Sequence, residues 1–361
     1  MASLIINGLA GIASLAVPLG ELSQSKVPPQ STVVQVGIGS GSYAGGSVPH
    51  IALWDDGGNR VGQYHGDANG HLDAETVGLY TIDHDQDNND DEQAPYVMLA
   101  MNEKDAICIS FIIVSGDAAE WTWLGDMGKT CGADWYNSNF EVGSGTYTPA
   151  CVWIDQDHSD GLRAQGMSLH MPDFSGSQAG TVQEYKQDPD SLCKSNARMT
   201  FWPAIVADAL IPTFQPSLKY YPNGTDADLS KVIDRKTNGF PDPSGQKRLA
   251  RGRLAKRQSS NPDPTHLVIS GNPLHSAKET CEHPNSYGPD FVSTVEGVYC
   301  DMSVKEWWPL CSNAITTGCF DLNAQKMRGS APGHKGQNRR DQINGRDLSD
   351  KSYKTVDRWS V

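Results

Sequence analysis

From residue 31 to 174 the chain runs in short apolar or alternating stretches: STVVQVGIG, VPHIALWD, VGLYTID, YVMLAMN, AICISFIIVSG, EWTWLG and CVWID. Each is rich in β-branched and aromatic residues and ends in a Gly, Asn or Asp cluster such as DDGGN or DQDNNDDE. No long 3.6-residue periodicity intervenes. The pattern predicts a mainly β chain: an antiparallel β-sandwich, jelly-roll or PLAT/C2-like, over residues 31–210. Short helices are expected near its end, at 190–199 and 203–210. Over 211–265 apolar positions thin out and Pro, Gly, Asn, Asp and Ser take over, which reads as an exposed linker. HLVISGNP restarts the pattern with a strand and a turn. Residues 266–325 then read as a smaller disulfide-rich α+β part packed on the sandwich, and 326–361 as a basic tail.

The opening MASLIINGLAGIASLAVPLG is apolar from Leu4, with small residues Ser14 and Ala16 placed for cleavage. It predicts a signal peptide over 1–16, although no Lys or Arg precedes the apolar run. A buried N-terminal segment is the alternative. The stretch is too short, and too interrupted by Asn7, for a transmembrane segment. The eight cysteines, Cys108, Cys131, Cys151, Cys193, Cys281, Cys300, Cys311 and Cys319, are even in number and form no CxxC pair. That favours disulfides over zinc, with four cysteines within 108–193 and four within 281–319 as the simplest division. Asn223-Gly-Thr is a glycosylation sequon. Secretion follows from these features together.

Charge adds a second pattern. The formal net charge is −14, yet residues 231–257 hold nine Lys/Arg against two Asp/Glu, and 326–361 hold nine against four. The rest is therefore strongly acidic, which excludes a nucleic-acid partner for the chain as a whole. Within KRLARGRLAKRQSS the pairs Lys247-Arg248 and Lys256-Arg257 are dibasic. In a secreted, Pro-flanked loop they are candidate processing sites for kexin-type proteases.

Several patterns are candidates for chemistry. The glycines of VGIGSGSYAGG follow a strand, but a Pro and another strand come next. A dinucleotide site would need a helix there. Asp155, Asp157 and Asp160 alternate before Gly161, so this loop is a candidate calcium site without the EF-hand spacing. The acidic loop 83–92 is a second such candidate. His158, His170, His84 and His65 flank these loops without a ligand spacing of their own. For hydrolysis, the candidate carboxylates are Asp290 and Glu296, with Asp301 following Cys300, or Asp155 and Asp157. GxSxG and HExxH are absent from the sequence. Ser276, Ser286 and Ser293 near His275 and His283 form at most a loose triad. Trp121, Trp123, Trp135 and Tyr136, or Trp307 and Trp308, are candidates for sugar stacking, with core packing as the competing use.

CVWIDQDHSDG with LRAQGMSLHMPDF, then GNPLHSAKETCE, GPDFVSTVEGVYCDM, WPLC and the closing KSYKTVDRW, resembles a group of secreted proteins of filamentous ascomycete fungi. The resemblance implies a fungal, extracellular setting and carries no catalytic residue. The expected function is binding of a polysaccharide at a cell wall or host surface, with an effector-like role on a host surface protein as a variant. Calcium is the one cofactor the loops suggest. The alternative is a secreted glycan-active hydrolase using paired carboxylates.

Overall fold

The computed structural model of the chain describes residues 28, 30–86, 93–116, 119–143, 147–159, 161–174, 179–188, 191–205, 221, 261–328 and 351–360. The expected signal peptide, Asn223, the two dibasic pairs and Asp160 lie outside them. The chain divides into two compact units, Met1–Lys256 and Arg257–Val361.

The first unit holds β1 (Ser31–Ile38), β2 (Gly46–Ser47), β3 (His50–Trp54), β4 (Arg60–Tyr64), β5 (His71–Leu72), β6 (Val77–Asp83), β7 (Tyr96–Ala100), β8 (Ile107–Ser115), β9 (Glu120–Leu124), β10 (Trp135–Tyr136), β11 (Cys151–Ile154), β12 (Gly166–His170) and β13 (Met199–Trp202). One antiparallel sheet runs β10-β11-β8-β1-β6, and β9 shares an edge of β8 with β11. The other runs β13-β12-β7-β3-β4, also antiparallel. Every residue of β1, β7 and β8 is buried, so these strands are covered on both faces, as sandwich-core strands are. On the second sheet Ala52, Trp54, Tyr96, Met98, Ala100 and Trp202 form one apolar cluster. Within β3 and β7 these are alternate positions, the period of a single sheet face. The sheets approach at Gly62 of β4, where an added Cβ would lie 2.3 Å from the Asp83 carbonyl of β6. Two disulfides staple the unit: Cys108–Cys151 joins β8 to β11, and Cys131–Cys193 joins the end of α1 (Gly125–Thr130) to the turn Ser191–Cys193.

The expected helix at 190–199 is replaced by that 3-10 turn and by β13, which pairs with β12. The run Met-Thr-Phe-Trp suits a buried strand, and the Cys193 disulfide holds the turn before it, so tertiary pairing decides. The helix of this stretch lies earlier, as α2 (Ala179–Gln187). The expected helix at 203–210 falls mostly outside the described residues.

The second unit holds β14 (His266–Ser270), α3 (Ala277–Glu282), β15 (Asp290–Ser293), β16 (Val298–Asp301), β17 (Glu306–Pro309), β18 (Cys319–Asp321), β19 (Lys326–Arg328) and β20 (Thr355–Trp359). Its main sheet runs β17-β16-β15-β14-β20. β14 lies parallel to both β15 and β20, and the remaining pairs are antiparallel. One face carries Leu267, Ile269, Val292, Tyr299 and Trp308, packed with Phe320 of the β18–β19 hairpin. α3 is capped by Ser276, whose hydroxyl accepts the Glu279 N–H, and is tied to β16 by Cys281–Cys300. Cys311–Cys319 closes a short loop beside the hairpin. The closing residues therefore differ from the expected basic tail: Lys326–Arg328 completes a hairpin and Thr355–Trp359 forms the edge of the sheet.

Candidate functional site

The densest polar cluster of the second unit grows out of the β15–β16 pairing. Phe291 faces Cys300 and Val292 faces Tyr299. Continuing that register sets Asp290 opposite Asp301, both fully buried. Like charges directly opposite one another on a sheet repel, and burial strips them of water, so they need a counter-charge. The closing segment supplies it. Lys351 Nζ lies 2.6 Å from Asp290 Oδ2 and 2.6 Å from Asp301 Oδ1, with the lysine side chain only 18% exposed. The Tyr353 hydroxyl donates to Asp290 Oδ2 at 2.6 Å, the Tyr299 hydroxyl reaches the same oxygen at 3.1 Å, and the two hydroxyls touch at 2.6 Å. Asp290 Oδ1 accepts from the Met302 N–H at 2.9 Å and from Asn261 Nδ2 at 2.8 Å. Asp301 Oδ1 also accepts from the N–H and hydroxyl of Ser303, while its Oδ2 is buried without a hydrogen-bond partner among the described residues. Burial, and then the charge of Asp301, pushes the Asp290 carboxyl up to about 6, against the opposing pull of Lys351. Burial and the charge of Asp290 likewise raise both tyrosines.

The structure thus joins Asp290 to Asp301 rather than to Glu296. Glu296 instead accepts from the Ser276 hydroxyl at 3.1 Å and from the Lys278 N–H at 3.1 Å, beside the N-terminus of α3. Lys351 and Tyr353 were absent from the expected site. Their signal was the spacing Lys-x-Tyr, which in extended chain puts both side chains on one face.

In the first unit Asp155 and Asp157 come together, but around the chain itself. Asp155 Oδ2 and Asp157 Oδ1 each accept the Ser159 N–H at 3.0 Å, and His158 takes φ +54° to close the turn. Burial, and then the charge of Asp157, raises the Asp155 carboxyl. Among the described residues no three His, Cys, Asp or Glu side chains gather as metal ligands.

The four histidines separate. His158 Nδ1 meets the Leu162 carbonyl and His84 Nε2 meets Thr32, while His65 packs edge-on to His50. His170 stacks on Tyr96 and contacts Asp173 at 2.7 Å and Asp56 at 3.3 Å, with Arg198 also 3.4 Å from Asp173. Burial pulls the His170 imidazole down, but the two carboxylates outweigh it and raise it.

The serines disperse too: Ser276 caps α3, Ser286 donates to the Thr280 carbonyl, and Ser293 accepts the Glu296 N–H. His275 Nδ1 lies 2.8 Å from the Ser270 hydroxyl. Trp123, Trp135, Tyr136 and Trp308 are core residues. Trp307 is half-buried, with Lys278 Nζ 4.6 Å over its ring and its Nε1–H on Glu282 at 3.0 Å. The glycines of VGIGSGSYAGG serve packing: an added Cβ at Gly39 would lie 2.7 Å from Cys151 Sγ.

No family model matches the chain. No curated protein matches it. Among solved structures it is similar to Delta413-417:GS LOX over 34% of this chain and 16% of that one, at 11% identity and a TM-score of 0.21. An anaerobic complex of delta413-417:GS LOX with arachidonate aligns over 49% and 22%, at 10% identity and the same TM-score. The chain thus spans less than a quarter of either LOX.

Proposed function

We propose that the chain is an extracellular protein that binds a glycan of a cell wall or host surface and does not hydrolyse it. Four disulfides and no free cysteine are compatible with an oxidising, extracellular setting. No helix among the described residues is long and apolar enough to cross a membrane. The observation that supports binding over hydrolysis is how the candidate carboxylates are occupied. Asp290 receives five donors and is fully buried, Glu296 serves a helix start, and Asp155 and Asp157 close a turn. A glycosidase pair instead faces the sugar across a gap that admits substrate or water. Trp307, on the edge strand β17, is the aromatic that supports a stacking contact with a sugar.

The test uses secreted full-length protein and insoluble wall polysaccharides. We expect protein in the pellet, no reducing sugar in the supernatant, and weaker retention for Trp307→Ala. Sugar release lost in Asp290→Asn would establish the hydrolase instead. Absence of both retention and release would remove the glycan reading in favour of a host surface protein. Burial, and then the charge of Asp157, raises Asp155, and a cation at the two carboxylates would offset both, so calcium is included through a chelator arm. Retention lost with chelator supports it, and unchanged retention removes it.

A further inference from the structure

We propose that Lys351 and Asp290 form an intramolecular isopeptide bond, with Asp301 as the proton carrier. The arrangement holds what the condensation of an amine with a carboxylic acid needs. Nucleophile and acceptor are already in contact, with Nζ 2.6 Å from Asp290 Oδ2, which removes the entropy of bringing them together. Asp290 Oδ1 sits between two donors, the Met302 N–H and Asn261 Nδ2, placed to stabilise the negative charge that develops on that oxygen during attack. Both tyrosine hydroxyls lie on Oδ2, the oxygen that must leave. Asp301 Oδ1 is 2.6 Å from Nζ, within reach of its proton, and its Oδ2 is buried without a hydrogen-bond partner among the described residues, open to a proton passed on to it. Burial and the charge of Asp301 raise Asp290 as well, which favours the acid form that can be attacked.

The step balances. The Lys351 ammonium gives one proton to the Asp301 carboxylate, and the freed lone pair on Nζ attacks Cγ of protonated Asp290. A C–N bond forms while the Cγ–Oδ1 π pair moves onto Oδ1. On collapse the Cγ–Oδ2 bond breaks and the hydroxyl leaves with the proton from Asp301 as water. The amide nitrogen returns its extra proton to Asp301. Nothing is oxidised or reduced, and no co-reactant is required.

The bond would also fill a gap in the fold. The disulfides of the second unit lie within residues 281–319, and none reaches the closing strand. A Lys351–Asp290 amide would tie that strand covalently to the sheet centre across 61 residues of sequence.

The test is mass spectrometry of the full secreted chain after reduction. We expect a mass one water below the sequence value for the secreted chain, and no tryptic cleavage after Lys351. A branched peptide should join Lys351 to the tryptic fragment that carries both Asp290 and Asp301, and fragmentation should place the bond on Asp290. Asp301→Asn should restore the full mass and the cleavage while circular dichroism shows a folded chain. Lys351→Arg keeps the cation but not the nucleophile and should melt lower than the parent. Full mass with cleavage after Lys351 in the parent chain overturns the proposal, as does a bond placed on Asp301. Retention of the bond in Asp301→Asn overturns the assigned proton carrier.

Discussion

Asp173 holds two cationic groups at once, His170 at 2.7 Å and the almost wholly buried Arg198 at 3.4 Å. Removing one partner of a buried pair costs more than the pair contributes, because a desolvated charge is left behind. Asp173→Asn is therefore expected to cost about 3–5 kcal/mol in denaturant unfolding. His170 also sets a pH dependence. Its imidazole is raised in the folded chain, so the folded state binds the proton more tightly than the unfolded one. That contribution is fully present below the unfolded value near 6.5 and is lost as pH rises through the folded value. Thermal scans at increasing pH above 6.5 should show the parent chain losing stability, with a flatter dependence in His170→Asn. Gly39 is a second residue whose identity the packing dictates. Its missing side chain makes room for the Cys108–Cys151 disulfide, so Gly39→Ala should cost about 1–3 kcal/mol through overpacking.

At the scale of elements, the closing strand is the part whose role differs most from its sequence appearance. Each marked residue of KSYKTVDRW does a separate job: Lys351 bridges two carboxylates, Tyr353 donates to Asp290, Val356 packs on the apolar face, and Trp359 meets His275 and Phe291 on the other. Trp359→Ala should cost about 3–5 kcal/mol in urea unfolding, as truncation of a buried aromatic does. An unchanged midpoint would mean that β20 adds nothing to the sheet. β1, β3, β6, β7, β8, β9, β11 and β14 were legible in the sequence because their apolar runs are short, β-branched and closed by turn residues. β20 was not. Thr355 and Arg358 are exposed, Val356 and Asp357 half-buried and only Trp359 fully covered, and an edge strand lacks the continuous apolar run that announces a central one. The parallel pairing of β14 with β15 and β20 was hidden for another reason: it joins segments far apart in sequence, and no local pattern encodes such a partner.

At the scale of the whole molecule, the candidate site shows the same division. The sequence offers Asp290 with Glu296, its near neighbour, and Asp301 after Cys300, but it sets no distance among the three. The true partner, Asp301, follows from hairpin register, and Lys351 arrives from the chain end, so only the folded sheet brings the three together. The cysteines were easier, because pairing within each half needs only proximity along the chain. Their pairing has a consequence for the basic run. Cys108–Cys151 and Cys131–Cys193 lie in one unit, Cys281–Cys300 and Cys311–Cys319 in the other, and the boundary between the units falls at Lys256 and Arg257. No disulfide spans that boundary, and the proposed Lys351–Asp290 amide would lie wholly in the second unit. Cleavage after Arg257 by a kexin-type protease should therefore convert the 39.1 kDa chain into two fragments on a denaturing gel run without reductant. Each fragment should keep its own two disulfides by mass. A single band that separates only after reduction would show a disulfide crossing between the units, and the pairing described above would then be wrong.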